Sequence, residues 1–248
     1  MELSRLVSYI QEILQPERFS DYCPNGLQIQ GCADVLKIVS GVTASMDLLQ
    51  AAADAGADAV LVHHGFFWKN EDPCIVGIKQ KRIKFLLDNN ISLLAYHLPL
   101  DAHPKLGNNA QLANRLGLNL EAWTGNQNIL AYGTLPEVRL LGEFSQFVDL
   151  QLNRTPMVIG SDSKKIKRVA WCSGGAQSYM QDAINLGVDL FISGEISEQT
   201  YHLAQESGVA YMAAGHHATE RYGVNALGDH LASHFSISHE FIDIHNPV

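Results

Sequence analysis

The sequence predicts an α/β fold of duplicated βα units, with mostly parallel sheets covered by helices. Two observations carry the expectation. Short apolar strands alternate with helical stretches of about ten residues, the pattern of a mostly parallel sheet covered on both faces. The same punctuation then recurs in a second part of the chain. Composition agrees with a globular chain: of 248 residues, 46% are hydrophobic and 17% charged.

The elements follow in order. MELSRLVSYIQEIL opens the chain as an amphipathic helix, without the basic and apolar run of a secretory signal. Pro24-Asn25-Gly26 signals a turn before a short strand over 27–30. Lys37 to Val42 reads as a buried strand, and Ser45 to Ala55 as a helix closed by Gly56. Ala59 to Val62 is an apolar strand running into His63-His64, then come a helix over 79–89 and a strand over 91–96 that leads to His97. A helix over 108–116 closes a first half, residues 1–120. Residues 121–166 break the rhythm and read as a connecting segment with one helical run near 143–152. A second half, residues 167–248, resumes it with strands at 168–172, 189–193, 209–213 and 240–244, and helices at 179–186, 198–206 and 218–234.

The halves share marks. Gly56-Ala-Asp58 precedes the strand ending at His63-His64, and Gly187-Val-Asp189 precedes one ending at Gly194-Glu195. His97 is followed four residues on by Asp101, and His216 four residues on by Glu220. Each of those pairs is followed by G-x-N-A, at 107–110 and 223–226.

The candidate chemistry sits at strand carboxyl ends, where open α/β sheets bind their ligands. Adjacent strand residues point to opposite sides, so His63 and His64 reach two ions more easily than they chelate one. His216 and Glu220 fall on one helix face if the chain turns helical there. Asp101 follows Leu98-Pro99-Leu100, which proline is expected to keep out of regular helix, and offers a carboxylate near His97, a further possible ligand. Imidazole and carboxylate without thiolate suit Zn, Fe, Mn or Co. A carboxylate such as Glu220 is able to join two such ions and set them to activate water. Glu195 is a candidate general acid or base, with ordinary loop hydrogen bonding as the alternative. Trp68 and Lys69 are candidates to line a pocket or a plain surface loop. The remaining histidines, His217 among them, read as structural or solvated.

Exclusions narrow the function. A net charge of -9 opposes a stable nucleic-acid partner. No run reaches the roughly 18 apolar residues of a membrane span. Four scattered cysteines form no C-x-x-C pair and are expected as free thiols in the cytoplasm. No G-x-x-x-x-G-K-[ST], G-x-S-x-G or G-x-G-x-x-G motif stands in a position to bind ATP, act as a serine hydrolase or hold a dinucleotide.

Taken together, Pro24-Asn-Gly-Leu-Gln28, Gly41-Val-Thr-Ala44, the 57–65 run ending in His63-His-Gly65, His97-Leu-Pro-Leu-Asp101, Gly107-Asn-Asn-Ala110, Ser193-Gly-Glu195 and Gly215-His-His-Ala-Thr-Glu220 resemble the type 2 GTP cyclohydrolase I homologues, the NIF-three-like family. The resemblance implies a NIF-three-like fold and two divalent metal ions held by His63, His64, Asp101, His216 and Glu220, with Glu220 bridging. It also implies a ring-shaped homohexamer and a nucleotide or related small-molecule substrate, with opening of the GTP purine ring at C8 and loss of formate as the named reaction. The middle segment is too short for the long inserted domain of some members, and His-His-Gly-Phe-Phe-Trp departs from the proline-containing form common elsewhere. A metal-holding adaptor or regulator without turnover is the rival reading.

Overall fold

The amphipathic start forms α1 (Leu3–Leu14), whose buried Leu3, Leu6, Ile10 and Leu14 recur every three or four positions. In this computed structural model, which describes all 248 residues, the chain continues through β1 (Gly26–Ile29), β2 (Lys37–Thr43), α2 (Met46–Asp54), β3 (Ala59–His64), α3 (Gly77–Asp88), β4 (Ser92–Ala95) and the short α4 (Leu98–Ala102). Ser45 Oγ accepts from the Leu48 N–H and caps α2. Gly56, at φ +71°, takes the left-handed conformation just past its end. The α4 turn corrects the expectation drawn from Pro99. Proline lies in the first turn, where its missing N–H breaks no intrahelical bond, so Asp101 is helical.

Next come α5 (Asn108–Leu116), β5 (Asn119–Thr124), β6 (Leu130–Leu140), α6 (Leu141–Leu152), β7 (Met157–Ile159), β8 (Lys165–Trp171), α7 (Met180–Asn185), β9 (Leu190–Ser193), α8 (Glu198–Ser207), β10 (Ala210–Ala213), α9 (His216–Phe235) and β11 (Ser238–Phe241). No helix is long and apolar enough to cross a membrane. The chain divides into two units, residues 1–107 with 223–245, and residues 108–222 with 246–248. The first holds a five-stranded sheet in the order β1-β4-β3-β2-β11, and the second a six-stranded sheet in the order β5-β6-β8-β9-β10-β7. In the first sheet only β1 runs antiparallel to its neighbour. In the second, β8, β9 and β10 are parallel while β5, β6 and β7 pair antiparallel.

These units depart from the sequence boundaries in two places. Residues 121–166 contain β6, β7 and most of β5, so the stretch is sheet and not connector. Its period is hidden because β6 carries Gly133 and Pro136, and its register with β8 shifts between Thr134 and Arg139. Residues 223–245 return to the first unit, where β11 pairs with β2, a partner no local pattern announces.

Alternation sets the packing of the first sheet. Ala59 and Leu61 join Ile38, Leu94 and Tyr96 in a cluster with Leu6, Ile10 and Leu227. Val60 and Val62 join Val39 and Leu93 in a cluster with Leu48, Leu49 and Leu86 on the other face. Burial on both faces explains the uninterrupted apolar runs. The second unit buries Trp171, Phe144, Leu190, Ile192 and Met212 together.

Asp58 and Asp189 perform the same task in the two units. Asp58 Oδ2 accepts from the Leu36 and Lys37 N–H groups at 2.7 and 2.9 Å. Asp189 Oδ2 accepts from Lys167 and Arg168 N–H at 2.8 and 2.9 Å. Each therefore fixes the start of the first parallel strand beside the second. Asp58→Ala should lower stability by about 1–3 kcal/mol, because two backbone donors lose their acceptor. Urea unfolding checks this, and an unchanged midpoint would refute the assigned role.

Candidate metal centre

In the first unit the strand alternation carries His63 and His64 to the end of β3. His63 is fully buried, and its Nδ1 donates to the Tyr96 carbonyl at 3.0 Å. A carbonyl only accepts, so Nδ1 carries the proton of that bond, and Nε2 lies 3.6 Å from Asp101 Oδ1. His64 Nδ1 is 3.1 Å from Thr43 Oγ1. Its ring centroid is 4.6 Å from that of His63. His97 Nδ1 donates to Asp21 Oδ1 at 2.9 Å, and its ring is 4.9 Å from His63. Each of the three histidines brings a ring nitrogen within 4.8 Å of the others.

The sequence strings explain why these side chains hold still. Asn25 Oδ1 accepts from the His97 N–H at 2.7 Å. Gln28 Oε1 accepts from Phe66 N–H at 2.7 Å, and a Cβ on Gly65 would collide with that same oxygen. Only glycine lets the backbone past the histidines approach Gln28 so closely. Asp21 is a residue that sequence reading missed. Burial opposes its ionisation, but hydrogen bonds from His97, Asn25 and Leu98 N–H outweigh this and hold its carboxyl down at about 2. Burial, then the Asp21 charge, pushes the nearby Cys23 thiol up, so its sulfur stays protonated and donates toward Asp21.

In the second unit, α9 begins two residues earlier than expected, and His216 and Glu220 lie on one face of it. His216 Nδ1 donates to Glu195 Oε1 at 2.7 Å, while Nε2 stands 3.3 Å from Glu220 Oε2. Burial disfavours the imidazolium, yet Glu220 and then Glu195 raise its pKa to about 9. Glu195 Oε2 also accepts from Gln177 Nε2 at 3.3 Å. The Ser173-Gly174 turn closes on this pair. Thr219 Oγ1 accepts from Gly174 N–H at 3.0 Å and donates to the Gly215 carbonyl at 2.8 Å.

The donor chemistry fits a metal: imidazoles anchored through Nδ1, beside buried carboxylates, in a set without thiolate. A Duf34/NIF3 (NGG1p interacting factor 3) profile matches residues 1–247. The chain belongs to the Duf34/NIF3 family. A Pseudomonas aeruginosa member, named GTP cyclohydrolase 1 type 2 homolog, is 54% identical over 249 residues, covering 99% of this chain and 98% of its own. The solved structure of protein ybgI, described as of unknown function, superposes with a TM-score of 0.96 at 47% identity over 100% of both chains. A Thermus thermophilus protein gives 0.90 at 33% identity, again over 100% of both.

Other histidines of this Duf34/NIF3 chain have structural partners that sequence reading did not place. Tyr9 Oη bonds His230 Nε2 at 2.7 Å and stacks on His234 at 4.2 Å. His103 Nδ1 accepts from the Leu106 N–H at 2.9 Å. His217 is buried, and its backbone N–H donates to the Val248 carbonyl at 3.1 Å, tying the C-terminus to the start of α9. His239 lies between Ser40 Oγ at 2.7 Å and Asp229 Oδ1 at 2.8 Å, the arrangement of a serine-hydrolase triad. Ser40 is fully buried within β2, so the chain of bonds fastens β11 and α9 to the sheet and presents no nucleophile.

Proposed function

We propose that this Duf34/NIF3 protein is a divalent-metal-dependent hydrolase acting on a nucleotide or related small molecule. The observation that carries the reading is how the histidines are held. His63, His97 and His216 each commit Nδ1 to an acceptor, Tyr96 O, Asp21 or Glu195, so Nε2 is the nitrogen at which a metal would bind, at His216 by displacing the proton that its raised pKa keeps on the ring. Asp101 and Glu220 add carboxylates only 6% and 2% exposed. Buried charge is costly unless it is paired or coordinates a metal.

In this reading His63, His64, Asp101, His216 and Glu220 hold two ions of Zn, Fe, Mn or Co, with His97 as a further ligand. Such ions supply Lewis acidity and lower the pKa of water. Asp21 and Glu195 keep protons on Nδ1 of His97 and His216. Both oxygens of Glu195 are engaged, which favours this positioning role over the general acid or base role expected from its place in the sequence. The nucleotide class follows the naming of the Pseudomonas aeruginosa relative. A ring-shaped homohexamer in the cytoplasm completes the reading, and light scattering on the purified chain should give the mass of six copies.

Protein purified without chelators should carry about two transition-metal ions per chain, the complement of a two-metal hydrolytic site. Glu220→Ala should lower that content, and chelation should abolish turnover in a nucleotide screen. An absence of metal from the wild type would sink the proposal. Metal without any turnover would transfer the function to the adaptor reading.

A further inference from the structure

Beside His64 lies a cavity of about 210 Å³, walled by Phe66, Trp68, Glu71, Lys79 and Arg82. It is smaller than the roughly 300–1,000 Å³ that encloses a drug-sized ligand, so it suits one part of a ligand. Three features say which part. The first is charge: Lys79 and Arg82 against Glu71 leave the wall at +1, on a chain whose net charge is -9. The second is an unmet donor, because Arg82 Nε is buried and makes no hydrogen bond. Arg82 borders the cavity, and oxyanions match the planar fork of a guanidinium. The third is the aromatic wall. Arg82 Cζ sits 5.9 Å from the Phe66 ring centroid, and the Trp68 ring lies 5.8 Å from the ring of His64.

Lys79 is held at the wall of the cavity by loose contacts. Its Nζ is 3.9 Å from Glu71 Oε2, donates to the Asp72 carbonyl at 3.3 Å, and lies 4.9 Å from the Phe67 ring centroid. A dianion entering beside it would replace a long contact to one carboxylate with a shorter one to the ligand. We infer that this cavity is an oxyanion subsite, in which Arg82 and Lys79 hold the acidic group of an aromatic small molecule against Trp68, with the remainder of that molecule directed toward His64. The inference deepens the hydrolase reading and rests on it for the role of His64. It names as substrate class a planar ring bearing phosphate or carboxylate.

Isothermal titration of chelator-treated protein with phenyl phosphate, inorganic phosphate, benzoate and phenol tests it, since stripping removes any contribution from metal. Phenyl phosphate should bind, and phenol should not. Comparison of phenyl phosphate with benzoate then tells which acidic group is preferred. Arg82→Ala and Lys79→Ala should each weaken phenyl phosphate about tenfold or more, as loss of a charge-assisted hydrogen bond implies. Trp68→Leu should weaken phenyl phosphate while leaving inorganic phosphate unchanged. Unaltered affinity in both cation variants, or equal binding of phenol, overturns the subsite. Elemental analysis of the untreated samples separates this from the metal reading. Arg82→Ala protein with full metal content and no phenyl phosphate binding supports the subsite, whereas a metal-replete wild type that binds neither phenyl phosphate nor benzoate after stripping overturns the subsite alone.

Discussion

Replacing Gly174 with alanine should reduce metal affinity about 10–100-fold, the range seen when groups that orient metal ligands are lost. The new Cβ would collide with Glu220 Oε1 and stand 3.2 Å from His216 Nε2. Retreat of the loop is blocked, because the Gly174 N–H donates to Thr219 Oγ1 and its carbonyl accepts from the Gly194 N–H and Ser193 Oγ. The Glu220 carboxylate must therefore move, and it leaves the place where it meets His216. Strain adds a second effect, since Gly174 has φ +65° and a non-glycine residue there costs about 1–2 kcal/mol. Gly187→Ala separates the two. It has φ +64° with nothing within 4 Å of its Cβ, so it should lose stability while keeping its metal. Metal titration and urea unfolding of both variants provide the check. Equal metal affinity in Gly174→Ala and wild type would show that the turn does not set the carboxylate.

Gly174 also shows what the sequence made legible and what it did not. Gly174-Gly175, just past the strand at 168–172, is a turn signal in the sequence, and His216 and Glu220 stand at the spacing of a helical pair. That the turn presses on the pair depends on a contact between residues more than forty positions apart, which no local period encodes. The first-unit histidines were readable for a similar reason: β3 is short, apolar and buried on both faces, so polar residues at its end stand out. Asp21 escaped notice because its task, holding Nδ1 of His97, appears only when 76 residues of chain are folded back. The strings Pro24-Asn-Gly-Leu-Gln28 and Gly41-Val-Thr-Ala44 carry the family resemblance without showing their task. Asn25, Gln28 and Thr43 prove to bond the His97 N–H, the Phe66 N–H and His64 Nδ1. The second sheet was the least legible part. Three of its strands pair antiparallel at the edges of a parallel core, and proline and glycine in β6 hide the alternation that would have marked it.

Trp171→Ala should produce the largest loss of stability, about 3–5 kcal/mol, the range for truncating a large buried aromatic. Trp171 is fully buried in β8 among the apolar residues of the second unit. Its Nε1 donates to the Asn109 carbonyl at 2.9 Å, so alanine leaves a cavity and also strips a buried acceptor of its donor. Trp171→Phe distinguishes the two contributions: most of the ring remains and only the hydrogen bond goes, for about 1–3 kcal/mol. A domain is stable by only about 5–15 kcal/mol, so the alanine variant should unfold at a much lower urea concentration. The damage should reach the site as well. Asn109 Oδ1 accepts from the Ser173 N–H at 2.8 Å, and its Nδ2 donates to the Ile129 carbonyl at 3.1 Å. Tryptophan thereby steadies the asparagine that holds the turn against Glu220. If this chain of contacts is correct, Trp171→Phe should weaken metal binding more than a distant variant of equal destabilisation such as Asp58→Ala. Equal metal affinity in the two would confine Trp171 to packing.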